Sequence, residues 1–414
     1  MAVIAHPHEA FSAGFYHNED FDFDVRIALG LAPSGGTDAG EILQAISRVG
    51  EQDHHAWFET WRGLGERVRA MADDSAARGH AVSAASAYLR AANYAGIAVN
   101  AVAGLPDETE LLPTFREHRS AWDRFIDTVA LPAERVEIAY EGTTLPGYFV
   151  HPMERAGMRP TLIMVNGSDG PISALWGSGA TDALARGYNV LLFDGPGQQS
   201  MLFERGVGFR PDWEAVITPV VDHLLQRTEV DPDRLAMYGI SQAGFWVPRA
   251  LAHEHRIAAA IADPGVVDVS ASWLAHLPKS LRTLLTEGKR REFDRDMEWG
   301  MRFSKEAASA WTFRARPYRT EGYFDTLQAV LEYRLSEEQA AAIRTPMFIT
   351  NPEDEQFWPG QSERLGSMLQ VEHVVMPFTA AEGANFHCQP LARTLTHQRM
   401  FDWLDDQLTR AQAS

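Results

Sequence analysis

The sequence predicts an α/β protein: a mostly parallel central sheet with helices on both faces, preceded by a helical N-terminal block. Three observations carry that expectation. Residues 41–128 place apolar side chains at helical spacing, with Tyr88, Leu89, Tyr94, Ile97 and Val99 in an alanine-rich stretch. After Pro132 the period changes to strand-like. Short apolar runs then recur at 161–165, 189–193, 234–238 and 257–262, each set off by a helical stretch. Strands buried on both faces of a parallel sheet read as such runs.

Taken in order, the first forty residues read as an irregular lead-in. Asp20, Asp22 and Asp24, alternating with Phe21 and Phe23, read as an edge strand or loop with its acids in water. The glycine and closing glutamate of a calcium loop are missing. Residues 34–37 read as a linker and Asp38 as a helix cap. Trp57, Trp61 and Trp122 supply bulk to the helical block. His54 and His55 diverge by about 100° on a helix and read as packing rather than a metal pair.

Residues 135–140 and 144–151 form a predicted hairpin across Glu141, Gly142 and Thr143. Helices are expected at 173–186, 213–226 and 242–254, between the apolar strands. Residues 268–337 interrupt the alternation with helix-like stretches. Strands resume at 347–350 and 371–376, and a last helix covers about 391–408. The expected division is a helical cap over 1–130 and a catalytic domain over 131–414, carrying the 268–337 insertion.

Composition excludes several classes of function. With 37 Lys and Arg against 56 Asp and Glu, the formal charge of the 414 residues is −19. Such a surface repels phosphate backbones and anionic lipids, so neither a nucleic-acid nor a membrane partner is expected. The single cysteine, Cys388, excludes an intramolecular disulfide framework and any multi-cysteine metal site. No basic start with an apolar stretch opens the chain, and no apolar run reaches membrane-spanning length, so a cytoplasmic protein is expected.

The strongest chemical signal is Gly239-Ile240-Ser241-Gln242-Ala243-Gly244, placed between a strand and a helix. This is the setting of a nucleophile elbow, G-x-S-x-G, with Ala243 in place of the second glycine. A serine hydroxyl needs a base to take its proton and an acid to orient the base. His387, just before the last helix, is the candidate base. Asp354, after the 347–350 strand and flanked by Glu353 and Glu355, is the candidate acid, with Asp263 as second choice. Backbone amides of Gln242 and Ser168 are the expected oxyanion donors, the latter from the loop Asn166-Gly167-Ser168-Asp169-Gly170. An acid at 169 opposes charge forming there, so Asp169 either caps the following helix or acts as a protonated acid or substrate anchor. Asp194-Gly195-Pro196-Gly197-Gln198 reads as a tight turn that shapes the floor of the site. Cys388 reads as packing, and His253-Glu254-His255 lacks the spacing of a zinc site.

Residues 239–244 and 194–198, with Asp354 and His387, resemble the α/β-hydrolase superfamily. Residues 85–98, 210–222 and 382–389 are more narrowly similar to the group containing 2,6-dihydroxypseudooxynicotine hydrolase and the fungal heptaketide hydrolases of pigment synthesis. The resemblance spans about residues 40–408. It implies an α/β-hydrolase fold with an N-terminal helical cap, a homodimer, and action on carbon–carbon bonds next to a carbonyl or on esters. It also implies a role for an acid in the oxyanion loop, where Asp169 falls.

The expected function is a metal- and cofactor-independent serine hydrolase acting through an acyl-enzyme on a small apolar or aromatic carbonyl compound, such as a β-diketone or polyketide-like aromatic. A carboxylesterase, thioesterase or peptidase with the same triad is the first alternative. A cyclase or acyltransferase shares the acyl-enzyme, and a ligand-binding protein without catalysis is the alternative of another class.

Overall fold

The computed structural model describes residues 14–153 and 157–413. β1 (Ala133–Tyr140) and β2 (Thr143–Val150) form the expected hairpin, with left-handed Glu141 and Gly142 in its turn. The other strands are β3 (Arg159–Val165), β4 (Asn189–Phe193), β5 (Val230–Ile240), β6 (Ala259–Asp263), β7 (Met347–Pro352) and β8 (His373–Phe378). They make one eight-stranded sheet in the order β1-β2-β4-β3-β5-β6-β7-β8. β2 pairs antiparallel with β4, and every pairing from β4 to β8 is parallel. All residues of β4 and β6 are buried, which is why both read as unbroken apolar runs.

Of the lead-in expected to be irregular, residues 1–13 lie outside the described residues, and 14–40 are instead largely helical. α1 (Glu19–Gly30) is capped by Asn18, whose side chain accepts from the amides of Asp20 and Phe21. Its acidic first turn suits the positive end of the helix dipole. Phe21, Val25 and Ala28 are buried at helical spacing, so the Asp-Phe alternation was a misleading period. α2 (Ala39–Ile46) has the expected cap, Asp38 accepting from the Glu41 amide at 3.0 Å.

α3 (His54–Ala77), α4 (Ala81–Ala101) and α5 (Leu111–Thr128) complete the helical block. One apolar core runs from Phe21, Trp57 and Tyr94 through Trp122 to Tyr148, Met164, Leu192 and Tyr238 of the sheet. The block therefore shares its core with one sheet face. After β3 the expected helix is broken at Gly179: a π-type turn, Trp176–Ala180, leads into the short α6 (Thr181–Ala185). A further short helix, α7 (Gln199–Phe203), follows β4.

α8 (Glu214–Leu224) and α9 (Ala243–Leu251) cover the other face, where Trp213 and Trp246 stack at 4.6 Å. The interruption after β6 forms α10 (Ser270–Ala275), α11 (Lys279–Thr286), α12 (Arg290–Met301), α13 (Lys305–Ala315) and α14 (Tyr323–Leu331). It has its own small core around Leu281, Phe293 and Leu327. α13 packs against the Val102–Gly104 turn of the helical block. α15 (Glu337–Ala342), α16 (Gln361–Met368) and α17 (Arg393–Ala413) finish the chain. Among the described residues no helix is long and apolar enough to cross a membrane.

Candidate active site

Ser241 stands between β5 and α9 with φ of 57°, a left-handed conformation that a non-glycine residue adopts only when its surroundings impose it. Two bonds hold it: its amide donates to Asp263 O at 2.6 Å, and its carbonyl accepts from the Gly244 amide at 2.8 Å. Strand and helix approach so closely that a Cβ on Gly244 would lie 1.8 Å from Pro264 O. Ala243 is accommodated, fully buried. The close contacts of this elbow fall at Gly239 and Gly244, whereas Ala243 itself is accommodated.

His387 lies where the sequence places the base. Its Nε2 is 2.9 Å from Ser241 Oγ, and the ring is buried beside Phe23, Phe357 and Trp358. The carboxylate bonded to His387 is Glu355, not the expected Asp354. Glu355 sits 2.8 and 2.9 Å from His387 Nδ1 through its two oxygens, and its Oε1 also accepts from the amides of Phe357 and Trp358. Asp354 is exposed and takes the Asn385 side chain at 2.5 Å. The reason is strand-like alternation. Asp354 and Phe386 form a β-bridge, which turns 354 outward and the next residue inward. Asp263, the second choice, is spent on Tyr238, Thr350 and Arg393 in the core.

Burial works against a charged His387, but the Glu355 carboxylate against Nδ1 favours it and holds the imidazole above its usual range. Burial likewise opposes the Glu355 carboxylate, yet His387 and the two amides keep it below the ordinary glutamate range. Cys388 donates to Asp263 O, and burial pushes its thiol up, away from nucleophilic thiolate.

The β3 loop approaches the nucleophile so closely that a Cβ on Gly167 would sit 2.9 Å from Ser241 Cβ. Asn166 braces this loop, accepting from the Gly167 amide and donating to the carbonyls of Gly170 and Pro171. Gln198 ties it to the 194–198 turn, donating to Asn166 O and Gly167 O and accepting from the Gly195 amide. Asp194 in turn binds Ser200 and the Arg119 guanidinium of α5. The amides of Ser168 and Gln242 have no acceptor among the described residues, and the Gln242 amide opens α9. Free amides at a helix start beside a nucleophile suit a developing oxyanion.

Asp169 does not cap the following helix. Its carboxylate accepts from Ser168 Oγ at 3.1 Å, and its carbonyl accepts from Gln199 Nε2 at 3.4 Å. The residue keeps substantial accessible surface, although protein atoms crowd its carboxyl. Burial raises its carboxyl, against the pull of Ser168, Arg314 and His387. Asp24 of α1, expected in open water, is instead half-buried, and burial foremost, then the charges of Asp20 and Asp169, raises its carboxyl. Sequence reasoning missed it because α1 was not recognised; the Asn18 cap was the available signal.

One cluster with metal-ligand spacing occurs among the described residues: Glu134, His151 and Glu229. It lies by the start of β5, the strand end opposite Ser241, and Arg227 pairs with both of its carboxylates.

The chain has an α/β-hydrolase fold and is similar over nearly its whole length to proteins named as hydrolases, so it is read as an enzyme of that kind. No family model matches it. The chain is 29% identical to the hydrolase acrC of Aspergillus aculeatus, covering 95% of this chain and 97% of that one. It is 28% identical to the 20-hydroxy-prefusarin hydrolase FUS2 of Gibberella moniliformis, covering 96% and 97%. The solved structure of 2,6-dihydroxy-pseudo-oxynicotine hydrolase superposes with a TM-score of 0.71 at 21% identity, over 92% of this chain and 95% of that one, a likeness of fold. The resemblance read from the motifs holds in both comparisons.

Proposed function

We propose that the protein is a serine hydrolase that cleaves a carbon–carbon bond next to a carbonyl through an acyl-enzyme on Ser241. The observation that carries the reading is the continuous hydrogen-bonded path from Ser241 Oγ through His387 to Glu355. His387 takes the hydroxyl proton as Ser241 attacks the carbonyl carbon, and Glu355 stabilises the resulting imidazolium. The amides of Ser168 and Gln242 receive the oxyanion, each donor being worth about 2.7–4 kcal/mol in comparable sites. Collapse of the tetrahedral intermediate expels the leaving group, and water activated by His387 releases the acid.

A carbon leaving group departs with its electron pair and needs a proton. Two acids near Ser241 could supply one, Asp169 of the loop after β3 and the His387 imidazolium. That provision, the phenylalanine and tryptophan rings beside His387, and relatives named for hydrolysing 20-hydroxy-prefusarin and 2,6-dihydroxy-pseudo-oxynicotine support an aromatic or polyketide-like β-dicarbonyl substrate. Product analysis with a β-diketone panel tests this. A ketone plus a carboxylic acid is expected, and Ser241→Ala should abolish turnover; retained turnover in that variant removes the nucleophile assignment, while cleavage of esters alone makes the enzyme a carboxylesterase. We also read the protein as a homodimer, as the resemblance implies, which light scattering tests, and as cytoplasmic, as the sequence suggests.

A further inference from the structure

We propose that Arg393 is a positioning residue for the reaction: by bonding Asp263 and the Cys388 carbonyl at once, it keeps the loop that carries His387 in register with the elbow that carries Ser241. The inference rests on the serine-hydrolase reading of the site and adds a support that does not touch the reacting atoms.

The chain just after His387 needs such a hold. Cys388 and Gln389 are both left-handed, with φ of 55° and 43°. Two successive non-glycine residues in that region store strain and persist only where their surroundings over-determine them. His387 precedes them directly, and its Nε2 must stay within hydrogen-bond reach of Ser241 Oγ, 2.9 Å away.

The hold is built from the end of β6 and the start of α17. Arg393, the first residue of α17, donates from Nη1 to Cys388 O at 2.7 Å and to Asp263 Oδ2 at 3.0 Å. Asp263, the last residue of β6, accepts through its own carbonyl from the Ser241 amide at 2.6 Å and from Cys388 Sγ at 3.1 Å. Asp263 thus meets the elbow and the His387 loop through its backbone, and Arg393 ties its side chain to the same loop.

Rigid neighbours hold both partners. The Asp263 carboxylate accepts from Thr350 Oγ1 of β7 and from Tyr238 OH of β5, each at 2.7 Å. Nη2 of Arg393 donates to Tyr238 OH at 2.6 Å and to Ser178 O at 2.8 Å. The pair is buried, with side-chain exposures of 7% and 0%. A planar guanidinium fixed at this many points places Cys388 O more sharply than a point charge on a flexible stem.

Two effects of losing Arg393 are separable. The Asp263 carboxylate is left buried without its cation, which destabilises the fold. The bond to Cys388 O is lost as well, which releases the His387 loop and slows the chemistry. Neutralising Asp263 at the same time removes the first effect and leaves the second.

The test follows fluorophosphonate labelling and p-nitrophenyl acetate turnover in the wild type, in Arg393→Met, and in Arg393→Met combined with Asp263→Asn. The final extent of labelling counts the folded sites, and its rate reports the alignment of Ser241 with His387. In both variants the labelling rate and the kcat per labelled site should fall roughly 100-fold with KM nearly unchanged, the scale of a displacement by about an ångström. The double variant should regain most of the thermal midpoint that Arg393→Met loses, without regaining kcat. Wild-type kcat per labelled site in either variant overturns the proposal and leaves Arg393 a purely structural role. Arg393→Lys keeps the cation without the fork, so it should fold like the wild type and label at an intermediate rate. If the other variants do not fold, Arg393→Lys decides, and a wild-type labelling rate in it overturns the proposal. A wild type that does not label fails the Ser241 reading instead.

Discussion

Replacing Glu355 by Gln removes the negative charge from His387 while keeping the side chain's size. Both partners are almost wholly buried, with side-chain exposures of 5% and 2%, and the carboxylate spans His387 Nδ1 at 2.8 and 2.9 Å. Two unit charges about 4 Å apart attract by about 4 kcal/mol at an effective dielectric of about 20, which is roughly a thousandfold in rate. Amide replacement of the acid in a serine protease triad costs about ten-thousandfold, partly through the wrong imidazole tautomer. The expected loss in kcat/KM for Glu355→Gln is therefore roughly a thousand- to ten-thousandfold, read with p-nitrophenyl acetate. Asp354→Asn, which touches only the Asn385 side chain at the surface, should stay within about twofold. A crippled Asp354→Asn beside an active Glu355→Gln would refute the alternation argument and restore the sequence-based choice.

Three other outcomes follow from the same geometry. Gly167→Ala places a methyl 2.9 Å from Ser241 Cβ and 3.2 Å from Ile240 O, so turnover should be lost while the circular dichroism spectrum stays native. Arg119→Met strips the buried Asp194 carboxylate of its cation, and the cost of about 3–5 kcal/mol for a broken buried pair should show as a lowered thermal midpoint. The general base must be neutral to work, and His387 is held above the usual histidine range. The acidic limb of kcat/KM should then lie at higher pH than for an ordinary histidine and move to lower pH in Glu355→Gln; a limb unmoved by that substitution contradicts the role given to Glu355.

How far the sequence carried the reading depends on the kind of signal each element leaves. β4 was legible to the residue because a strand covered on both faces must be apolar throughout. The elbow at Ser241 was legible because strained turns between packed elements demand small residues, and the contacts that exclude a side chain fall at Gly239 and Gly244. α1 was missed because Asp and Phe alternate with period two through its first turns, and only burial by Trp57 and its neighbours selects the helix. The choice among Glu353, Asp354 and Glu355 was not local at all. It is made by the bridge from Asp354 to Phe386, a pairing between segments that no composition or spacing reveals.

The central claim is that Ser241 forms the covalent intermediate. Intact-protein mass spectrometry after treatment with a fluorophosphonate, followed by peptide mapping, tests it most directly. A single adduct on the peptide containing Ser241, absent in Ser241→Ala and strongly slowed in Glu355→Gln, is the predicted result. An adduct on another residue, or none on the wild-type protein, would contradict it.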